Sequence, residues 1–218
     1  MAEINLLARY PKSKRNVDAR ATAKTAERIR ISRLYGKDYF DGDRSFGYGG
    51  YRYDGRWKPI AEDIIAHFNL KPGDRILDVG CAKGFLVKDL MVVLPGLEAF
   101  GLDISDYALK HCEPEVVGRL HRVNAVDLPF PDHSFDAVVS INTIHNLPRA
   151  ECITALREIE RVTKGSRAYV QVDSYFTEDE KSLFKEWVLT AYTHDYPDGW
   201  RKIFAEAGYQ GDYYWTLV

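Results

Sequence analysis

The stretch ILDVGCAKGFLV, residues 76–87, decides the fold. Ile76 to Val79 is a short apolar run of strand character, Gly80 and Gly84 bracket a turn, and an apolar helical run opens at Phe85. A buried strand that passes through a glycine turn into a helix is the first unit of a doubly wound sheet. Ligands in such sheets sit at the carboxyl ends of the strands, where strand order reverses. Gly80, lacking a Cβ, lets the backbone approach a ligand closely, and Gly84 permits tight packing at the helix start.

Downstream of the turn, short apolar segments alternate with helical ones. The pattern predicts strands over 75–79, 99–103, 120–123, 135–141, 168–173 and 212–217, and helices over 58–68, 84–93, 107–111, 149–163, 178–191 and 199–207. That alternation implies an α/β three-layer sandwich with a mostly parallel sheet. The sheet has six strands, or seven if 183–194 supplies another. Upstream, the helix formers of 19–34 predict one surface helix with a narrow apolar stripe. Residues 35–57 then carry eight aromatic rings among six glycines with neither helical nor strand periodicity, as in a long loop. Residues 1–57 therefore read as an N-terminal extension and lid, and 58–218 as the main domain.

Composition narrows the function. The 218 residues, 45% of them hydrophobic, suffice for one large α/β domain with a sizeable core. A net charge of −2 lacks the basic excess of a dedicated nucleic-acid binder, so no nucleic-acid partner is expected. Charge is nevertheless uneven. Between Arg9 and Arg33 nine Lys or Arg residues face only Asp18 and Glu27, a pattern that suits either a solvated helix face or a cradle for an anionic substrate. Cys81, Cys112 and Cys152 are too far apart for a CxxC metal or redox motif, and no metal site is expected. Without a signal-peptide pattern or an 18-residue apolar run, the chain is expected in a reducing cytoplasm and off the membrane. A homodimer is left open.

The spacing of the turn separates two cofactor classes. A nicotinamide fingerprint reads GxGxxG, whereas this chain reads Gly80-Cys81-Ala82-Lys83-Gly84, with Asp78 two residues ahead. That arrangement resembles motif I of class I S-adenosylmethionine-dependent methyltransferases, with Ala82 where many members have glycine. The likeness covers about residues 58–175 and implies a Rossmann-like fold with S-adenosylmethionine as cofactor. By the resemblance, Asp78 helps place the methionine amino group while Gly80, Cys81, Ala82 and Gly84 line the methionine and ribose. Asp103, with Ile104 beside it, ends the second strand about 20 residues on, where an acidic side chain takes the ribose hydroxyls. The segment 124–147 resembles the family's adenine-edge motif, which assigns Asp127 to the adenine amino group, with Ala125, Val126 and Asn142 nearby.

Acceptors in this family meet the methyl at the end of the fourth strand. His145 there is the first candidate for a general base, since an imidazole of pKa about 6.5 suits proton removal at neutral pH; His194 is the second. The aromatic segment is expected to fold over cofactor and acceptor, with Tyr48, Tyr51 or Tyr53 near the sulfonium, because ring faces attract cations. The function expected is methyl transfer to an O or N atom of a small molecule, either a sugar or an anionic metabolite of polysaccharide or specialised metabolism. Two alternatives stand beside it: an RNA or protein methyltransferase using the basic N-terminal helix, and a regulatory protein that binds S-adenosylmethionine without turnover.

Overall fold

A computed structural model describes residues 1–11 and 16–217. Lys12, Lys14 and Arg15 of the basic stretch lie outside the described residues. The strands are β1 (Arg75–Val79), β2 (Glu98–Asp103), β3 (Leu120–Arg122), β4 (Ala137–Ile141), β5 (Ala168–Asp173) and β6 (Asp212–Thr216). They form one sheet in the order β3-β2-β1-β4-β5-β6 with every pairing parallel. The open question of a seventh strand is thereby answered among the described residues: 183–194 adds none, and β6 pairs directly with β5. Its far edge is covered by the chain's own beginning, where Ile4 N donates to the Tyr213 carbonyl and Tyr213 N to that of Ala2.

Alternation along the strands divides two apolar layers, as a period of two demands. Leu77, Val79, Val138, Val170 and Val172 pack on one side against α7 (Arg149–Val162) and α9 (Pro197–Ala207). Ile76, Ala99, Ala137, Val139 and Tyr169 face the other side, towards α4 (Lys58–Phe68) and α5 (Phe85–Val93). Leu6 joins this second layer and Arg9 pairs with Glu62 and Asp63 on α4. The extension is thus fastened to the main domain at several points.

The helix predicted over 19–34 is two helices, α1 (Val17–Ala23) and α2 (Ala26–Ser32). The break falls at Lys24-Thr25 because the Thr25 hydroxyl caps the second helix, accepting from Arg28 N at 3.2 Å. The 35–57 loop contains a short helix, α3 (Lys37–Asp41), and 107–111 corresponds to α6 (Asp106–Lys110). The helix predicted over 178–191 stops earlier, as α8 (Glu178–Trp187), with Val188 already extended. That early stop frees 188–196 to lie across the ends of β4 and β5, where Tyr192 N and Thr193 N both donate to the His145 carbonyl.

Trp200, fully buried on α9, ties this end of the sheet to the core: its Nε1 donates to the Asp173 carbonyl at 2.8 Å. Replacing Trp200 with Phe leaves that carbonyl unpaired and opens a void. Urea denaturation should show a loss of about 2–4 kcal/mol.

Candidate functional site

The site is built at the carboxyl ends of β1 and β2, beside the switch in strand order between β1 and β4. Gly80 (φ +90°), Ala82 (φ +51°) and Gly84 (φ +75°) give the turn its left-handed steps. A Cβ on Gly80 would lie 2.0 Å from Thr143 Oγ1, so this glycine is required first by the close approach of the segment after β4. Ala82 adopts the left-handed conformation that glycine favours, at a cost of about 1 kcal/mol. Its methyl group belongs to a small apolar cluster with Phe40, Ala108, Tyr35, Tyr39, Tyr51 and Tyr107, which explains how alanine is accommodated where the family pattern has glycine. The Cys81 side chain turns into the core beneath the sheet and leaves only its backbone to the recess.

Two carboxylates stand at the strand ends in different surroundings. Asp103 accepts from Ala82 N at 2.7 Å and Ser105 N at 2.8 Å, which closes the turn. Burial raises its pKa, and these main-chain donors oppose the rise. Asp78 is 5% exposed and, among the described residues, its carboxylate has no hydrogen-bond or ion-pair partner. Burial, and then the charge of Asp103, push it up to about 7. A buried carboxylate without a donor is a receptor for a cation. Ile104, 48% exposed, offers an apolar wall beside Asp103. Ala125 and Val126 are half-buried and Asp127 is exposed, in a turn that Asn124 organises through Val126 N and Asp127 N.

The aromatic segment packs over the glycine turn. Lys83, inside the glycine turn, points up into the segment, its Nζ 2.9 and 2.7 Å from the two oxygens of Asp41 and 2.8 Å from the Tyr51 carbonyl. Tyr107 OH and Tyr51 N also donate to Asp41. Burial alone would raise the Asp41 pKa, but these hydrogen bonds hold it below the ordinary value. Above the latch lie Tyr35, Tyr39, Phe40, Tyr48 and Tyr51, each within 6 Å of a neighbouring ring. Tyr35, Tyr39 and Tyr48 all feel the charge of Asp103, and Tyr51 that of Asp78. Tyr48 is the exposed ring of this group, with 42% of its surface accessible.

Three expected roles change. Tyr53 faces away from the recess: its hydroxyl donates to Asp89 on α5 at 2.6 Å, which, ahead of burial, raises it to about 12. His145 is committed at both nitrogens. Asp173 N donates to Nδ1 at 3.1 Å, so the proton sits on Nε2, which lies 3.3 Å from the Asp173 carboxylate. Burial lowers its pKa, and the neutral ring as placed has no free lone pair with which to act as a base. The Asn142 amide oxygen accepts from Thr216 on β6 at 2.5 Å, which draws that side chain towards the sheet edge. His194 is half-buried, with Nδ1 3.2 Å from Tyr175 OH and a pKa lowered by burial. The latch residues Lys83 and Asp41 were not singled out in the sequence; the one signal was a lysine inside the glycine turn.

Residues 77–168 match the family model described as a methyltransferase domain. The chain carries a class I S-adenosylmethionine-dependent methyltransferase domain. A demethylmenaquinone methyltransferase of Geobacillus kaustophilus is 34% identical over 142 residues, 62% of this chain and 58% of that protein. A 2-phytyl-1,4-naphtoquinone methyltransferase of Synechococcus elongatus is 36% identical over 123 residues, covering 52% and 51%. The chain thus spans a little over half the length of these curated relatives. Among solved structures, the methyltransferase complexed with the Trm112 activator of Haloferax volcanii aligns with a TM-score of 0.55 at 26% identity, over 68% of this chain and 66% of that one. A methyltransferase of Methanosarcina mazei shares the fold, with a TM-score of 0.54 and 22% identity, over 66% and 82% of the two chains. S-adenosylmethionine is the cofactor of this family, and the residues at these strand ends fit it: Asp78, without a partner among the described residues, suits a cation, Asp103 can accept from hydroxyls, and Ile104 gives an apolar surface alongside.

Two measurements check the site. With Asp78 as the expected receptor of the methionine ammonium, binding requires it ionised, whereas burial, and then the charge of Asp103, favours its protonated form below pH about 7. Affinity for S-adenosylhomocysteine should therefore rise about tenfold from pH 6 to pH 8, and Asp78→Asn should abolish that slope. In the free protein the sign is reversed. With the folded pKa above the unfolded value of about 3.9, the contribution of Asp78 to folding stability is present at low pH and lost as pH rises through 7. Second, Lys83→Met removes the latch, and proteolysis within 35–57 should accelerate about tenfold, as local opening becomes easier.

Proposed function

We propose that the protein transfers the methyl group of S-adenosylmethionine to a small-molecule acceptor, held between the aromatic lid and the 188–196 segment. The reading rests above all on Asp78, a buried carboxylate near the end of β1 that has no partner among the described residues. When bound, the cofactor supplies an electrophilic methyl on a sulfonium. The protein's part is to align and to exclude water, because in-line displacement gains most from a near-attack geometry. In this reading Asp78 fixes the ammonium end, Asp103 and Ile104 hold the ribose side, and Asp127 with Ala125 and Val126 meets the adenine. The faces of Tyr48 and Tyr51 favour positive charge in a site from which water is displaced.

A planar, quinone-like acceptor is supported by the activities named for the curated relatives and by the ring-lined walls of the recess. Where the acceptor must lose a proton, His194 takes over the role first expected of His145, since its Nε2 is uncommitted among the described contacts. The polarity of the 188–196 segment, with Thr190, Tyr192 and His194, suits an O or N nucleophile.

Purified protein incubated with S-adenosylmethionine should release S-adenosylhomocysteine only when an acceptor such as a reduced 1,4-naphthoquinone is present. His194→Gln should lower kcat by about 10²-fold while leaving S-adenosylhomocysteine affinity within twofold. Tight binding of S-adenosylhomocysteine with no turnover on any acceptor would instead favour a regulatory binding protein.

A further inference from the structure

Arg33 closes α2 and lies where that helix meets the 188–196 segment. Its guanidinium carbon sits 3.7 Å above the centroid of the Tyr192 ring. Stacking uses the face of the guanidinium and leaves its edge, with all the N–H groups, for hydrogen bonding. That edge is unspent: Nε is buried and has no hydrogen-bond partner, and among the described residues no carboxylate pairs with Arg33. Arg33 as a whole is half-buried, but a buried Nε–H without an acceptor is costly unless something else supplies one.

The position of Arg33 defines what it can reach. Tyr192 is anchored by its main-chain N–H to the His145 carbonyl, in the turn that follows β4. Tyr35, two residues beyond Arg33, feels the charges of both Arg33 and Asp103, and is also close to Tyr192. Through Tyr192, Arg33 therefore lies on the β4 side of the carboxyl ends of the strands, the same end of the sheet as Asp78 and Asp103. Nearby charge is basic on balance: Lys24 is depressed by burial first and then by Arg20 and Arg33, with Glu186 opposing. The strand ends that carry Asp78 and Asp103 are acidic, and this side has more cations than acids. A cationic cofactor suits those strand ends, and an anion suits this side.

We infer that Arg33, stacked on Tyr192, is a specificity-determining residue that receives an oxyanion, a carboxylate or phosphate carried by the methyl acceptor. The inference rests on the methyltransferase reading above and adds to it the chemical class of the group recognised. Tyr192 holds the guanidinium plane in place, so that its edge meets the two oxygens of the anion side by side.

The probe is phenyl phosphate, titrated into protein saturated with S-adenosylhomocysteine, with benzyl alcohol as the uncharged control. The wild-type protein should bind phenyl phosphate and not benzyl alcohol. Arg33→Met should weaken phenyl phosphate at least tenfold, and Arg33→Lys should recover only part of the loss, because an ammonium lacks the fork. Affinity for S-adenosylhomocysteine should stay within twofold in both variants, which also shows that they fold. Arg44→Met, in the separate basic cleft lined by Arg20, Arg28 and Arg44, should leave phenyl phosphate binding unchanged. Equal binding by wild type and Arg33→Met, no binding by wild type, or a loss that follows Arg44 overturns the inference. So does a loss of S-adenosylhomocysteine affinity in Arg33→Met that spares 5′-methylthioadenosine, since the arginine would then serve the cofactor's own carboxylate. Failure of the wild-type protein to bind S-adenosylhomocysteine would instead sink the methyltransferase reading, and so separates the two.

Discussion

The ammonium of Lys83 is the constraint on which the rest of the site depends. It is 8% exposed, inside the glycine turn that joins β1 to α5. An ammonium taken out of water is strongly unfavourable unless it is neutralised and its donors are filled. Both oxygens of Asp41 and the Tyr51 carbonyl meet that demand. Since Asp41 ends α3 and Tyr51 belongs to the loop beyond it, neutralising Lys83 draws the aromatic segment over the turn. The rings of the segment pack against one another, but rings pack in many ways. The ion pair sets the register in which they pack.

The same turn separates the roles of two carboxylates that look alike in sequence. Asp103 is answered by main-chain N–H groups of Ala82 and Ser105, so it holds the turn closed and keeps its remaining lone pairs for a ligand. Among the described residues Asp78 has the burial without the donors, and the neighbouring Asp103 charge adds to its penalty. Environments that push two acidic groups apart in this way mark different tasks. One carboxylate is satisfied within the fold, and the other has no partner among the described residues and so suits a cation.

Local pattern carried much of this into the sequence. The strand, glycine turn and helix of 75–93 are contiguous, and Asp78 and Asp103 fall at adjacent strand ends because β1 and β2 pair in register, Asp78 with Gly101 and Val79 with Leu102. Contacts between distant segments left no periodic trace. Lys83 and Asp41 are 42 residues apart, and neither has a neighbour pattern that names the other. Tyr48, Tyr51 and Tyr53 are equivalent as sequence; the side of α5 on which each ring falls decides that Tyr53 serves Asp89 while the other two face the recess. The break in the predicted 19–34 helix was marked by Thr25, a good capping residue. A cap outweighs helix propensity only where the chain also needs to turn, and tertiary packing sets that need.

His145 shows how residue type and role come apart. A histidine just past β4 has the right pKa and the right place for a base, yet its protonation is dictated by a main-chain donor. The Asp173 N–H can be met only by a lone pair, which fixes the proton on the far nitrogen, beside the Asp173 carboxylate. The His145 carbonyl meanwhile accepts from Tyr192 and Thr193, and the Asp173 carbonyl accepts from Trp200. One residue thereby joins β4, β5, α9 and the segment that carries Tyr192. A substitution there would disturb the wall of the recess before it touched any proton. Displacement at a methyl group asks chiefly for alignment and for the absence of water, and a histidine spent on rigidity serves both.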